Sequence, residues 1–194
     1  MARDRASRPQ AKPLRLFVAV DVPASVREAV RDAVEPLRER FPKARWVPPP
    51  NQHVTLKFLG STGPRLVGWV RQTVGEIAAG HEPFETHVGV LGAFPSERRA
   101  RVLWVALDDP TDRFVRIAAS LDEALAVEFP REKRAFTPHL TVARFEPAVD
   151  VGDLLRSPGI DSDRFLVDRL ALYRSHLRRP APIYEVLAAF PLGP

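Results

Sequence analysis

The sequence predicts an α/β or α+β protein with antiparallel strand pairing. Runs of β-branched and apolar residues alternate with segments of helical periodicity along most of the chain. Prolines sit mainly at the boundaries, in Pro48-Pro49-Pro50, Pro130, Pro138, Pro180 and Pro182. A short strand phrase, His53-Val54-Thr55, recurs as His139-Leu140-Thr141, 86 positions later. A duplicated half-domain gives such an echo.

The first strand is expected over 14–22 (LRLFVAVDV). Pro23 then opens a helix over ASVREAVRDAVEPLRERF, which Pro36 should kink or shorten. A short strand is expected at 45–47, and a longer one over 53–59 (HVTLKFL), closed by Gly60. Pro64 to Ala79 reads as a helix. Phe84, Thr86, Val88 and Val90 alternate as one face of a strand, and Gly92 to Pro95 reads as a turn. Another strand is expected over 101–107 (RVLWVAL), then a helix over 113–127 capped by Thr111. Pro138 opens a strand over 139–145 (HLTVARF), a loop or short helix spans 150–158, and final strands cover 165–174 and 184–190.

Composition narrows the classes. The 194 residues suit one domain with its own core, and shares of 45% apolar and 27% charged residues are ordinary for a folded chain. With no cysteine there is no disulfide framework, zinc–thiolate site or thiol nucleophile, and a reducing, cytoplasmic setting fits. No apolar run reaches the roughly 18 residues of a membrane-spanning helix. The first 13 residues lack a signal-peptide core and carry three of the five net positive charges; a flexible basic arm is expected there, with a single domain over 14–194. The rest is nearly balanced, so affinity for phosphate must come from local placement.

The two His-x-Thr phrases carry the chemistry. Strict alternation puts His53, Thr55 and Lys57 on one face and Val54, Leu56 and Phe58 on the other, which is apolar and belongs in the core. In the second copy His139 and Thr141 share a face, while Leu140 and Val142 turn inward. A single such phrase is most often a solvated strand face. Two copies with matching inward aliphatics point to a shared cleft. One neutral imidazole can take a proton from water, an opposed imidazolium can give one to a leaving oxygen, and the hydroxyls can hold phosphate oxygens between them. Such a set needs no metal.

Other candidates have competing structural readings. Strict alternation places Arg144 on the core face unless the strand bends. Arg134 and Phe136 either flank the cleft or anchor a loop. Trp46 and Phe94 suit burial better than stacking on a base. His81 and His87 read as surface residues, and His176 lies near Arg178 and Arg179 without a partner of its own.

HVTLKFLG, GAFP, RVLWVAL and RAFTPHLTVARF, in that order, resemble the bacterial and archaeal RNA 2',3'-cyclic phosphodiesterases. These were once called 2'-5' RNA ligases and belong to the 2H phosphoesterases. LRLFVAVDVP, LALYRSHL and PIYEVL extend the likeness over about residues 14–190. The resemblance implies an α+β, bilobal fold: two pseudo-symmetric lobes, each a small antiparallel sheet with outer helices, around an active cleft. It implies hydrolysis of 2',3'-cyclic phosphate ends of RNA, tRNA fragments among them, to 2'-phosphate, without cofactor. It also implies the joining of 2',3'-cyclic phosphate and 5'-hydroxyl ends without ATP.

By that analogy His139 is the general base and His53 the general acid, though the residues leave the order open. Thr55, Thr141, Lys57, Arg144, Arg134 and Phe136 form the expected substrate-binding set. The protein is expected to be monomeric and to have no membrane partner. The alternatives are an RNA-end-binding module without catalysis, and a phosphodiesterase of small cyclic nucleotides or 2'-5' oligonucleotides.

Overall fold

The structure, a computed structural model, describes residues 12–156 and 158–193. The basic arm expected over 1–13 lies, save for Lys12 and Pro13, outside the described residues. The elements run β1 (Leu14–Asp21), α1 (Ala24–Arg40), β2 (Arg45–Trp46), β3 (His53–Thr62), α2 (Val67–Ala79), β4 (Phe84–Thr86) and β5 (Val88–Phe94). Then follow β6 (Ala100–Leu107), α3 (Arg113–Ala124), β7 (His139–Val149), β8 (Phe165–Val167), β9 (Arg169–His176) and β10 (Ile183–Pro191).

The main sheet has the order β10-β9-β1-β3-β7-β6-β5, every neighbouring pair antiparallel, with β2 on β7. It consists of two halves. β10, β9, β1 and β3 form one; β7, β6, β5 and β2 form the other. They meet at a single residue pair, Val54 with Leu140. Beyond it β3 and β7 separate, and β2 takes the place beside Ala143 and Arg144. The expected two-lobed α+β arrangement is thus present, with the two His-x-Thr strands at the join. β4 and β8 form a small separate sheet.

The helices cover one face. Val26, Val30 and Val34 recur at every fourth position of α1 and are all buried. Phe114, Ile117, Ala118 and Leu121 make the corresponding stripe of α3. With Val18, Leu56, Leu103, Leu140, Leu170 and Leu172 from the strands they form the main core. A second, smaller cluster lies apart from it and contains Phe17, Ala19, Ala171 and Tyr173, with Tyr184 packed against it. β1 is therefore buried on both faces, which is why its run is almost wholly apolar.

Several local expectations change. α1 continues through Pro36 to Arg40, so the proline does not shorten it. β3 continues past Gly60, whose φ of 66° supplies the left-handed residue of an irregular pairing where Leu59 has no partner on β1. The strand expected from Phe84 breaks at His87, and Gly92 to Phe94 continue β5 instead of turning. The strand expected over 165–174 splits between β8 and β9. The start of α3 is capped from further upstream than Thr111. The Asp109 carboxylate accepts the N–H groups of Arg113, Phe114 and Val115 at 2.6, 3.0 and 3.3 Å.

Candidate active site

The two histidine strands share one local design. From the histidine onward, the first seven residues of each have the same burial sequence. The histidine and threonine are partly exposed, the two residues after them core-facing, and the next one open to solvent. The cause is a matching bulge. Val18 and Ala19 of β1 pair with Lys57 and Thr55, leaving Leu56 extra. Leu103 and Trp104 of β6 pair with Ala143 and Thr141, leaving Val142 extra. One extra residue reverses the alternation beyond it. The antiparallel pairing of Val54 with Leu140 then sets His53 beside Thr141 and Thr55 beside His139. Imidazoles and hydroxyls alternate around the join, on the face away from the main core.

Each imidazole is tethered to the residue two positions before it. His139 Nδ1 donates to the Thr137 carbonyl at 2.7 Å. A carbonyl only accepts, so the proton of the neutral ring is on Nδ1 and Nε2 carries the lone pair. The Asn51 backbone bonds His53 in the same relation and favours its charged form. The surroundings differ. His53 stacks on Phe17 (ring centroids 4.8 Å apart, 26° between planes) and meets Tyr184 edge-on at 5.1 Å. Phe17 stacks in turn on Tyr173 at 5.1 Å and 10°. His139 has Phe94 edge-on at 5.2 Å and Trp104 at 5.9 Å. The Trp104 indole lies where a Cβ on Gly92 would stand, 2.2 Å away, so only glycine leaves the ring that place.

Burial among these rings disfavours the imidazolium form at both sites. It is the largest cause at His53, whose pKa falls to about 4; the Asn51 backbone and Asp21 oppose the fall, while His139 and Arg144 add to it. Burial also lowers the pKa of His139, with Thr137 opposing and Arg144 adding. Both rings are consequently neutral at pH 7 before an anion arrives. Thr55 and Thr141 make no side-chain hydrogen bond among the described residues, and no group of three or more His, Cys, Asp or Glu converges there as a metal cage.

The bulges decide the fate of the other expected residues. Lys57 does not share the face of His53. It is 1% exposed, bonded to the Asp122 carboxylate and to the Pro130 carbonyl at 2.7 Å, with Glu132 at 3.9 Å. It is a core cation tying β3 to α3 and the loop before β7. Phe58, read first as core, is 56% exposed and lies 6.0 Å from Phe17. Arg144 is exposed on the histidine face, because the strand does bend, and its charge acts on both imidazoles.

Arg134 stands exposed on the loop before β7. Phe136 is partly buried and packs against the main core. Trp46 also packs against the core, with Arg38 over its ring at 5.2 Å. Phe94, expected to be buried, is partly exposed beside His139. Of the remaining histidines, His81 contacts Ser120 at 3.3 Å, His87 faces Asp108 at 3.5 Å, and His176 bonds Glu185 at 2.8 Å. None of the three contacts the paired site. Sequence reasoning missed Asp21, Phe17, Trp104, Tyr173 and Tyr184. For the aromatics the available signal was a ring set among the aliphatics of four strands, β1, β6, β9 and β10; nothing local says which face it takes.

Known proteins are similar in sequence and fold. The family model of the 2'-5' RNA ligase superfamily matches residues 22–179. An RNA 2',3'-cyclic phosphodiesterase of Methanothermobacter thermautotrophicus is 31% identical over 183 residues, which are 92% of this chain and 99% of that one. The crystal structure of TT0787 of Thermus thermophilus superimposes with a TM-score of 0.78 at 32% identity, over 92% of this chain and 98% of the other. That of E. coli LigT complexed with phosphate does so at 0.73 and 26%, over 95% and 100%.

Proposed function

The chain belongs to the 2'-5' RNA ligase superfamily, and from that premise we propose that it hydrolyses the 2',3'-cyclic phosphate at an RNA end. The observation that carries the reading is the alternating ring of His53, Thr141, His139 and Thr55 on one open face. A cyclic phosphate seated there has one imidazole on each side of phosphorus. His139 Nε2, which carries the lone pair, takes the proton of the attacking water. His53 gives a proton to the departing 3'-oxygen, leaving a 2'-phosphate. Thr55, Thr141 and the Arg144 guanidinium hold the non-bridging oxygens as charge develops. The anion offsets the burial that keeps His53 neutral, so the acid is charged when substrate is bound. With a 5'-hydroxyl in place of water, the same steps in the same direction make a 2'-5' linkage without ATP.

The exposed ring of Phe58, next to Phe17 and His53, offers a stacking surface for the terminal base. Such a surface favours a ligand that carries a base, as an RNA end does, with tRNA fragments in that class. No helix of the described residues is long and apolar enough to cross a membrane, and a monomeric, cytoplasmic enzyme fits the reading.

Turnover of an oligoribonucleotide ending in 2',3'-cyclic phosphate, followed with and without EDTA, tests the proposal. A 2'-phosphate product formed at equal rates in both arms is expected. Binding without turnover favours an end-binding module instead. Preference for a mononucleotide or a 2'-5' dinucleotide would reassign the substrate.

A further inference from the structure

The two halves match in bulge, burial sequence and histidine tether, but one cross-strand neighbour breaks the match. His53 pairs with Asp21 of β1. His139 pairs with Ala106 of β6. A carboxylate stands opposite one imidazole and a methyl group opposite the other. The carboxylate is also held: the Tyr173 hydroxyl donates to Asp21 Oδ1. Tyr173 stacks on Phe17, which stacks on His53. Asp21, Tyr173, Phe17 and His53 thus close a circuit across β1, β3 and β9, and no counterpart surrounds His139 among the described residues.

Resting on the hydrolytic reading above, we infer that Asp21, held by Tyr173, is a positioning residue that directs the proton of the two-histidine pair to His53. An imidazolium at His53 is attracted by the Asp21 charge, and one at His139 has only Ala106 across the strand. Arg144 opposes a charge on either ring. When a phosphate anion enters and offsets the burial that holds His53 neutral, this charge difference biases the proton toward His53 and so separates acid from base. The charged and titratable groups facing His53 are Asp21 from β1, His139 and Arg144 from β7, Tyr173 from β9 and Tyr184 from β10. Asp21 alone among them carries negative charge at neutral pH. Arg27 and Arg169 act on the Asp21–Tyr173 pair from outside.

Asp21→Asn keeps an oxygen for the Tyr173 hydroxyl and removes the charge. Tyr173→Phe keeps the stack and removes the bond. NMR titration of both imidazoles, with inorganic phosphate as the probe, reads the proton directly. In Asp21→Asn the His53 midpoint should move to lower pH. Its kcat on a cyclic-phosphate oligonucleotide should fall about tenfold, the effect of one pKa unit, with KM little changed. Tyr173→Phe should move both quantities the same way by less. Adding Ala106→Asp to Asp21→Asn should raise the His139 midpoint.

An unmoved His53 midpoint in Asp21→Asn overturns the inference, whatever happens to stability or rate. Should that variant fail to fold, an unmoved midpoint in Tyr173→Phe overturns it. If the wild-type protein turns over no cyclic phosphate while the His53 midpoint follows Asp21, the hydrolytic reading fails and the charge bias stands.

Discussion

Phe58 and Arg144 occupy the same place in the two halves of the sheet. Each is the fifth residue after its motif histidine, each follows a one-residue bulge, and each is exposed on the histidine face. One is an aromatic ring and the other a cation. The pseudo-symmetric frame therefore carries an exposed ring on the His53 side and a charge on the His139 side; on the proposed function the two would orient an asymmetric substrate.

Substitutions at these two positions should affect different constants. On the proposed function Arg144→Ala removes a donor to the developing charge, so kcat should fall by about 10²–10³-fold. Arg144→Lys should recover only part, because an ammonium lacks the planar fork. Phe58→Ala should mainly raise KM, by roughly tenfold, since stacking on a base is worth about 1–3 kcal/mol. Steady-state kinetics on one oligonucleotide separates the two; a kcat effect confined to Phe58→Ala would contradict the assignment.

His53→Ala and His139→Ala should each lower the single-turnover rate by about 10²-fold or more while circular dichroism stays unchanged. On the proposed scheme both rings act on one phosphorus, so the double variant should be little worse than either single one. Thr55→Ala and Thr141→Ala should cost less than the histidine changes. Near-normal turnover in His53→Ala with none in His139→Ala would rule out the two-histidine scheme.

Stability should depend on pH through the same residues. Unfolded, the His53 imidazole titrates at about 6.5; folded, burial lowers it to about 4. Between those values the unfolded chain binds the extra proton. The stability contributed by a neutral His53 is therefore full above pH 6.5 and lost as pH falls toward 4. His139 acts in the same direction. Urea midpoints should fall across this window, and less steeply in His53→Gln. Added phosphate should flatten the slope by favouring the charged ring.

Lys57 should matter for stability and little for catalysis. Asp122→Ala leaves a cation that is 1% exposed with only the Pro130 carbonyl and Glu132 at 3.9 Å, and breaking such a pair costs up to about 3–5 kcal/mol. Lys57→Met replaces the cation with an apolar chain of similar length and should cost less. In both variants the folded fraction should keep the wild-type KM. Denaturant titration with parallel kinetics checks this; a raised KM with unchanged stability would return Lys57 to the substrate side.

Element order, the antiparallel class and the motif pairs were legible in the chain because they follow from short-range signals. Apolar period, proline positions and the repeated His-x-Thr phrase all lie within a few residues of what they specify. His53, Thr55, His139 and Thr141 could be read for that reason: between histidine and threonine the alternation is unbroken. Lys57, Phe58 and Arg144 lie beyond Leu56 or Val142, and there the alternation argument inverts. A bulge belongs to the pairing of two strands, so neither Leu56 nor Val142 announces it alone.

What surrounds each imidazole emerged only on folding. Phe17, Tyr173 and Tyr184 reach His53 from β1, β9 and β10, and their shared face is set by strand register across more than 150 residues of chain. Asp21 lies opposite His53, and Ala106 opposite His139, only because of that register. Local sequence specifies which side chains can carry a proton. Long-range pairing sets the burial and charge around them, and hence which one holds it.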